Sequence, residues 1–205
     1  REQIVMSLET CLGREMNMFE ETPEHAARML VDSPVLSRAK FGKLLSLDGG
    51  KYDAEVIDLN YDAAGDLKKA IETVCEQAVS AVKSGKVVIV LSDRNLEKGK
   101  LPIHALLATG AVHHRLVDEG LRCDANLIVE TGTARDSHHH AVLIGYGATA
   151  VYPYMAYETL HDLIRSGEIT ADPAKVMANY RKGINKGLFK IMSKMGISTI
   201  ASYRS

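Results

Sequence analysis

The composition of the chain is that of a globular protein with balanced charge. It has 205 residues, 46% of them hydrophobic and 25% charged, a balance that excludes disorder as the main state. Its 25 Lys and Arg residues against 26 Asp and Glu residues give a formal net charge of −1, which argues against a nucleic-acid surface or a polybasic membrane patch. No apolar run approaches the roughly 18 residues that span a bilayer, so we expect neither nucleic acid nor a membrane as a partner.

The first 53 residues are predicted to form an irregular helical segment. Short helices are predicted over residues 2–12, 23–30 and 38–47. The first has apolar residues at helical spacing up to Gly13, and the second follows the start signal Thr22–Pro23. The third is capped by Ser37 and ends before a glycine-rich turn.

From residue 54 onward, strand and helix patterns alternate. Strands are predicted over residues 54–59, 86–91, 125–130, 149–151 and 197–200. Helices are predicted over residues 66–84, 102–119, 135–144, 156–165 and 173–195. The run from Lys86 to Leu91 is continuous and rich in β-branched residues, which is typical of a strand buried on both faces. These repeated βα units predict an α/β fold with a mainly parallel sheet.

The length of the chain limits what this sheet can form. A complete (β/α)₈ barrel needs about 250 residues and eight strands, so we predict an open sheet or an incomplete, degenerate TIM-like barrel. We expect residues 1–53 to be a lead-in and residues 54–205 to be the βα-repeat body, together one truncated domain. Because the chain starts at Arg1, inside a helical pattern, we also expect it to be a piece of a longer polypeptide.

Polar residues follow the predicted strands at their carboxyl ends, where parallel sheets carry their functional groups. Asp93 and Glu130 end two of these strands and can face each other as acid and base or as metal ligands. Arg135 and His138 follow in the chain and complete a candidate ligand site. The alternative is that the two carboxylates satisfy loop amides or pair with Arg94 and Arg135.

The histidines and glycines do not have the spacing of a metal or phosphate site. His138, His139 and His140 are consecutive, and consecutive side chains on a helix point about 100° apart, so the triplet cannot chelate as a unit. Gly145 and Gly147 follow a predicted helix rather than precede one, which indicates a turn and not a phosphate loop. Dinucleotide, P-loop and nucleophile-elbow motifs are absent from the sequence.

Two further features indicate a docking surface and the cellular compartment of the protein. The aromatic segment from Tyr152 to Tyr157 follows a strand, and we expect it to be a docking surface that is exposed in this chain. Cys11, Cys75 and Cys123 are widely spaced and odd in number, which indicates free thiols and a reducing compartment such as the cytoplasm. We expect all three to be buried or half-buried, as free cysteines usually are.

Several unusual strings carry a family resemblance. They are ETPEHA at 21–26, LSDR at 91–94, SHHHA at 137–141, LIGYGA at 143–148 and KIMSKMGISTI at 190–200. With these strings, the chain resembles the central domain of the glutamate synthase large subunit from about Arg1 to Arg204. The family consists of multidomain iron–sulfur flavoproteins that convert glutamine and 2-oxoglutarate reductively to two glutamates.

The resemblance implies a structural rather than a chemical role. It implies an amidotransferase domain and an FMN-binding domain of the same parent chain as partners, with a central domain that positions both and helps wall the ammonia tunnel. FMN and an iron–sulfur cluster belong to the parent, and the resemblance assigns no catalytic, cofactor-binding or metal residue to this chain. It also implies a cytoplasmic location, or the plastid stroma for a plant-type parent.

Departures from the family leave a competing hypothesis open. The amidotransferase's N-terminal cysteine is missing, and the cysteines present do not match the closely spaced cysteines of the cluster. The alternative function is an autonomous small-ligand-binding or enzymatic domain that uses Asp93, Glu130, Arg135 and His138. We expect the isolated chain to lack activity and to self-associate. The electron donor of the parent, ferredoxin or a nicotinamide cofactor, stays open.

Overall fold

The secondary structure is taken from a computed structural model, which describes residues 2–17, 19–47 and 51–204. The strands are β1 (Thr10–Leu12), β2 (Met29–Val31), β3 (Ala54–Asp58), β4 (Asn60–Asp62), β5 (Val88–Ser92), β6 (Lys100–Pro102), β7 (Asn126–Glu130) and β8 (Ala150–Tyr152). The helices are α1 (Glu2–Val5), α2 (Arg38–Leu45), α3 (Leu67–Lys83), α4 (Ala105–Asp118), α5 (Ser137–Gly145), α6 (Tyr154–Arg165) and α7 (Pro173–Met195). Short 3₁₀ turns lie at Pro23–Ala26, Arg122–Asp124 and Ile200–Tyr203.

A parallel sheet forms the centre of the fold. Its strand order is β3-β5-β7-β8, and each neighbouring pair is parallel. Because this order follows the chain without reversal, the sheet corresponds to part of the wall of a (β/α) barrel rather than to a doubly wound sheet, whose strand order reverses at a switch point. The predicted α/β class and incomplete barrel are therefore confirmed.

The outer face of the sheet is covered by helices. Ile57, Ile89 and Leu127 point to this face and pack against α3 and α4. Asp66 starts α3 because its carboxylate accepts a hydrogen bond from the N–H of Lys68 at 3.0 Å. Helix α7 packs mainly on α5. Among the described residues, no helix is both long and apolar enough to cross a membrane.

The inner face of the sheet is covered by the N-terminal lead-in. Val88, Val90 and Ile128 point to this face, and residues of β1, β2, α2 and the segment before α2 pack over them. Phe41 of α2 stacks on Tyr152 of β8 with ring centroids 4.4 Å apart. A parallel sheet is stable when both faces are buried, so the lead-in supplies the second layer that this sheet requires.

The lead-in differs from the prediction in its secondary structure. The helix predicted over residues 2–12 ends at Val5, and the helix predicted over residues 23–30 is a single 3₁₀ turn. Thr10–Leu12 and Met29–Val31 instead form the antiparallel pair β1–β2. The apolar spacing was compatible with a helix, but short isolated helices are marginal, and pairing buries Thr10 and Leu12 on one side of β1. The boundary at residue 53 stays a prediction.

Two other predicted elements are also wrong. Pro102 does not open a helix; it ends β6, which pairs with β4 in an antiparallel ladder. Helix α4 begins three residues later, where His104 Nδ1 accepts from the N–H of Leu106. The strand predicted over residues 197–200 is reduced to one bridge between Ser7 and Thr199, because the chain then turns into a 3₁₀ turn.

A half-buried arginine fixes the amino-terminal end of the sheet. Arg122 donates from Nε to His113 Nδ1 at 3.0 Å, from Nη1 to the carbonyl of Ala125 at 2.6 Å and from Nη2 to the carbonyl of Gly147 at 2.9 Å. Burial lowers the pKa of Arg122 to about 10. Gly147 has a φ of +114°, and a Cβ placed on it would lie 2.4 Å from His113 Nδ1. The predicted turn at Gly147 is therefore also a point of close packing.

We expect Gly147→Ala to lower the free energy of unfolding by about 3 kcal/mol or more, because the methyl group meets the His113 ring as well as an unfavourable φ. Urea denaturation measures the loss. Gly167→Ala is the matched control, because Gly167 has a φ of +82° and open space where a Cβ would lie, so it should cost only about 1–2 kcal/mol. Equal losses at the two positions would contradict the packing role of Gly147.

Candidate functional site at the carboxyl ends of the strands

Glu130 is the centre of a polar network at the carboxyl end of the sheet. It is the last residue of β7, and its side chain is only 9% exposed. Ser92 pairs with it in the β5–β7 ladder and donates its hydroxyl to Glu130 Oε2 at 2.7 Å. Arg94 donates from Nη1 to Glu130 Oε1 at 3.1 Å and from Nη2 to Glu158 at 3.4 Å. The network therefore joins two strand ends to α6.

Asp93 holds the loop that follows β7. It is buried, and its carboxylate accepts hydrogen bonds from the hydroxyl of Thr131 and from the N–H of Gly132, the latter at 2.9 Å. The backbone N–H of Asp93 donates to the carbonyl of Glu130 at 3.2 Å. A Cβ on Gly132 would lie 3.1 Å from the hydroxyl of Tyr154, so the first residue of α6 also packs on this loop.

The charges of the network stabilise the contacts between its members. Burial opposes the charged guanidinium of Arg94, but hydrogen bonds to Glu130 and Tyr152 outweigh burial and raise the pKa of Arg94. Burial, together with the carboxylate of Asp93, raises the pKa of Tyr154, so the phenol stays protonated. The guanidinium of Arg94 also lies 4.8 Å from the centroid of the Tyr154 ring. Both buried carboxylates are thus satisfied by groups of the same chain.

The four predicted site residues are not brought together as one group. Asp93 and Glu130 lie side by side at the sheet edge, as described above. Arg135 and His138 are exposed, the carbonyl of Arg135 accepts from the hydroxyl of Tyr180 at 3.1 Å, and the ring of His138 lies 6.3 Å from that of His139. Within the described residues, no hydrogen bond or ion pair joins either of them to Asp93 or Glu130. Ligand binding by the four residues stays a prediction.

The aromatic segment from Tyr152 to Tyr157, at the end of β8 and the start of α6, is not an exposed docking surface. Tyr152, Tyr154 and Tyr157 are 2%, 8% and 5% exposed, so the expectation of exposure is wrong for these rings. Tyr157 donates its hydroxyl to the carbonyl of Leu36 at 3.0 Å. The rings are buried because the lead-in covers the inner face of the sheet, which spacing within the segment does not reveal. Tyr154 and Glu158 belong to the strand-end network, and sequence reasoning missed that role because α6 is distant in the chain.

The consecutive histidines open α5 and have different surroundings. His140 is fully buried, and its Nδ1–H donates to the carbonyl of Asp136 at 2.8 Å. Burial lowers the pKa of His140, so the ring is neutral and its Nε2 is a lone-pair acceptor. That atom has no hydrogen-bond partner among the described residues. Asp136 caps α5 by accepting from the N–H of His139 at 2.9 Å.

The structure offers no grouped metal ligands in the ranges 2–17, 19–47 and 51–204, where no three His, Cys, Asp or Glu side chains are placed to share an ion. The three thiols are free and lie in different elements: Cys11 in β1, Cys75 in α3 and Cys123 in a 3₁₀ turn. Cys123 is exposed, so the expectation that all three are at least half-buried is wrong there. An iron–sulfur cluster needs cysteines that converge, and these do not fit one.

Comparison with protein families identifies the chain. The family model of the glutamate synthase central domain matches residues 1–205. This chain belongs to the glutamate synthase central-domain family. The central domain is 40% identical over 213 residues to the NADH glutamate synthase of Schizosaccharomyces pombe and 38% identical over 204 residues to the NADPH glutamate synthase large chain of Bacillus subtilis. It is also 39% identical over 217 residues to ferredoxin-dependent glutamate synthase 1, chloroplastic/mitochondrial, of Arabidopsis thaliana.

The central domain corresponds to a small part of each relative. It is covered entirely by the alignments to the yeast and Bacillus proteins and to 99% by the Arabidopsis alignment. It spans only 10% of the yeast protein and 13% of each of the other two. The predicted resemblance is confirmed over the whole chain, and the relatives contain further polypeptide around the matching part.

Solved structures show the same barrel relationship. The flavin-binding domain of baker's yeast flavocytochrome b2 superposes with a TM-score of 0.51 at 15% identity, covering 84% of the central domain and 38% of that chain. A mutant of flavocytochrome b2 gives the same TM-score and coverage. At this identity the likeness concerns the fold alone, and it agrees with a chain that forms part of a barrel.

Asp93, Glu130 and the start of α5 are not free to bind FMN. A helix start binds a flavin phosphate through free N–H groups, but at the start of α5 the carboxylate of Asp136 already accepts from the N–H of His139. On the inner face, Phe41 stacks on Tyr152 and fills the space beside β8. Glu130 already accepts from the hydroxyl of Ser92, and Asp93 already accepts from the N–H of Gly132. No step of a flavin reaction is assigned to these residues.

We expect Glu130→Gln to lower the free energy of unfolding of the central domain by about 2–3 kcal/mol, because the buried Ser92 hydroxyl and the guanidinium of Arg94 lose their anionic acceptor. Thermal and urea denaturation measure the change. Glu158→Gln is the control: Glu158 is half-exposed and bound to the same arginine, and it should cost less than about 0.5 kcal/mol. Similar losses in the two variants would show that Glu130 is not the centre of the network.

The buried His140 predicts a pH dependence of stability. The folded-state pKa lies below the ordinary value of 6.5, so its contribution is fully present above 6.5 and is lost as the unfolded chain takes up a proton below it. Stability should therefore fall between about pH 7.5 and about pH 5.5 because of this residue.

We expect His140→Phe to remove that part of the pH dependence, since phenylalanine does not titrate. The Asp136 carbonyl still accepts from the backbone N–H of residue 140, at 3.3 Å in the wild-type chain. Urea denaturation at both pH values gives the slope. An unchanged slope in the variant would mean that groups other than His140 carry the dependence.

Proposed function

We propose that this central domain is a structural connector within a longer glutamate synthase polypeptide. In that polypeptide it positions an amidotransferase domain against an FMN-binding domain and helps wall the tunnel along which ammonia passes between them. The parent reaction converts glutamine and 2-oxoglutarate to two glutamates. The chemistry resides in the partner domains, and the central domain contributes a rigid surface.

The observation that supports this role is the closed network at the strand ends. In (β/α)-barrel enzymes the carboxyl ends of the strands present the reacting groups. Here Asp93 and Glu130 accept hydrogen bonds from neighbouring strand-end groups instead. Such a network stiffens the loops and joins α6 to the sheet, which is what a connector needs to hold two other domains at a fixed distance.

The relatives support the idea of further domains in the same polypeptide. The central domain spans 10% to 14% of the relatives compared, and the names of those proteins describe glutamate synthases that use ferredoxin, NADH or NADPH. A cytoplasmic or plastid location, and self-association of the isolated chain, stay predictions.

We expect the purified 205-residue chain to bind neither FMN nor 2-oxoglutarate at micromolar concentration. Flavin fluorescence quenching tests the first ligand, and calorimetry tests both. Both carboxylates at the strand ends are already satisfied, so a ligand would have to break buried hydrogen bonds to reach them.

Micromolar binding of either molecule would contradict the connector role and favour the autonomous ligand-binding domain. In that case Glu130→Gln should weaken binding at least tenfold, and Glu158→Gln should leave it nearly unchanged. The pair of variants then separates a site at Glu130 from binding elsewhere on the surface.

A further inference from the structure

The two edges of the parallel sheet differ in what lies beside them. Beside β8 lies the extended segment Pro34–Leu36, in which Val35 forms a parallel bridge to Val151. Val151 donates to the carbonyl of Pro34 at 2.7 Å and accepts from the N–H of Leu36 at 2.9 Å. Beside β3, none of the described residues adds a strand. The chain therefore covers one edge of its sheet with its own backbone and leaves the other edge open.

The backbone groups that point to the open edge follow from the ladder between β3 and β5. The carbonyl of Asp53 accepts from Val88, and the N–H of Leu59 donates to Ser92 at 2.8 Å. Odd-numbered residues of this segment therefore face β5, and even-numbered residues face outward. The outward peptide groups are those of Ala54, Val56 and Asp58. Among the described residues no neighbouring strand pairs with these groups, and a row of free backbone donors and acceptors is a template for another strand.

A groove of about 750 Å³ runs along this edge between β3 and α3. Its apolar side includes Ile57, Leu59 and Val74. Its polar wall is formed by Thr73, Gln77, Ser80 and Ser84. These four residues recur at the spacing of one helix face, all are exposed, and none is charged. Glu55 and Asp58 of β3 also line the groove, so an occupant that buries this groove has to supply a cationic partner for these carboxylates.

The side chains of β3 indicate what can pair there. Val56 is 50% exposed, although it is an apolar residue of a central sheet. Glu55 and Asp58 are exposed and have no cationic partner among the described residues. A second copy of β3 would bring another Glu55 and Asp58 and no lysine or arginine, so neither carboxylate would gain a cationic partner. A foreign strand with a basic residue opposite Glu55 or Asp58 supplies one.

We propose that the open edge of β3 receives a parallel strand of about five residues from another part of the same longer polypeptide. This occupant continues the barrel wall, because every pair in the sheet is parallel and the strand order follows the chain. It places an apolar side chain beside Val56 and a lysine or arginine beside Glu55 or Asp58. The source of the strand rests on the proposed function, since the relatives contain seven to ten times the length of this chain at the 10–14% coverage found.

Amide hydrogen exchange with residue resolution tests the proposal. It is measured on the 205-residue chain and on the intact polypeptide that contains it. We expect Ala54, Val56 and Asp58 to exchange rapidly in the 205-residue chain and to be protected by about 100-fold or more in the intact polypeptide. Glu55, Ile57 and Leu59 bond to β5 and should be protected in both, which makes them the internal control.

Val56→Pro provides a second, independent measurement. Proline removes an outward N–H and no ladder bond to β5, a position that tolerates proline on an edge strand. We expect it to leave the melting temperature of the 205-residue chain within about 3 °C and to abolish the protection of Ala54 and Asp58 in the intact polypeptide. Val56→Thr keeps the N–H and the branched side chain, and it should preserve that protection.

Two outcomes overturn the proposal. Equally fast exchange of the outward amides in both proteins means that no strand is added. Protection that rises with the concentration of the 205-residue chain, together with a dimer in sedimentation, means that the occupant is a second copy. If Val56→Pro unfolds the 205-residue chain, the exchange of the unsubstituted proteins decides. Failure of the proposed function is seen separately, as an intact polypeptide that forms no glutamate.

Discussion

Burial of a parallel sheet on both faces is the constraint on which the rest of this structure depends. Strands such as β5 and β7 are apolar on both sides, so each face needs a layer of its own. Helices α3 and α4 supply the outer layer. The lead-in, although it is irregular, supplies the inner one. A complete barrel would bury its inner face by closing on itself, whereas this partial barrel uses the first part of its own chain.

The same constraint explains the state of the strand ends. Covering both faces also buries the last residues of the strands, and a buried carboxylate needs a donor for each oxygen. The register of β5 and β7 places Ser92 beside Glu130, and the loop after β7 turns so that Gly132 meets Asp93. Positions that carry chemistry in complete barrels here fasten loops and α6 to the sheet. The barrel end is still polar, but its polar groups hold the loops and α6 on the sheet.

The elements that sequence reasoning predicted well are those with strong local signals. The run ending at Leu91 could only be a buried strand, and Asp66 and Gly85 bracket α3 by capping alone. The β1–β2 pair is not predicted because strands of three residues show too little alternation of apolar and polar residues to be distinguished from a helix. Pro102 was misread because its role depends on the pairing of β6 with β4, which lies outside its local window.

The candidate site shows the same difference between local signals and long-range packing. Asp93 and Glu130 were placed together correctly by a rule about parallel strands, which needs no knowledge of side-chain direction. Arg135 and His138 were added because they are near in sequence, but the orientation at the start of α5 exposes them. The burial of Tyr152 depends on Phe41, a contact between residues that are far apart in the chain. Long-range packing of this kind leaves no trace in local spacing.

The edge contact between Pro34–Leu36 and β8 has a consequence for synthesis. Its two halves are separated by most of the chain, so a ribosome making about 5–20 residues per second needs several seconds or more between them. During that time the lead-in has been made but only part of its inner-face cluster is available, because Ala150 and Tyr152 of β8 have not yet emerged. Local helices can form early, while the inner layer assembles last. The nascent chain is therefore a natural client for a chaperone that shields apolar segments until β8 emerges.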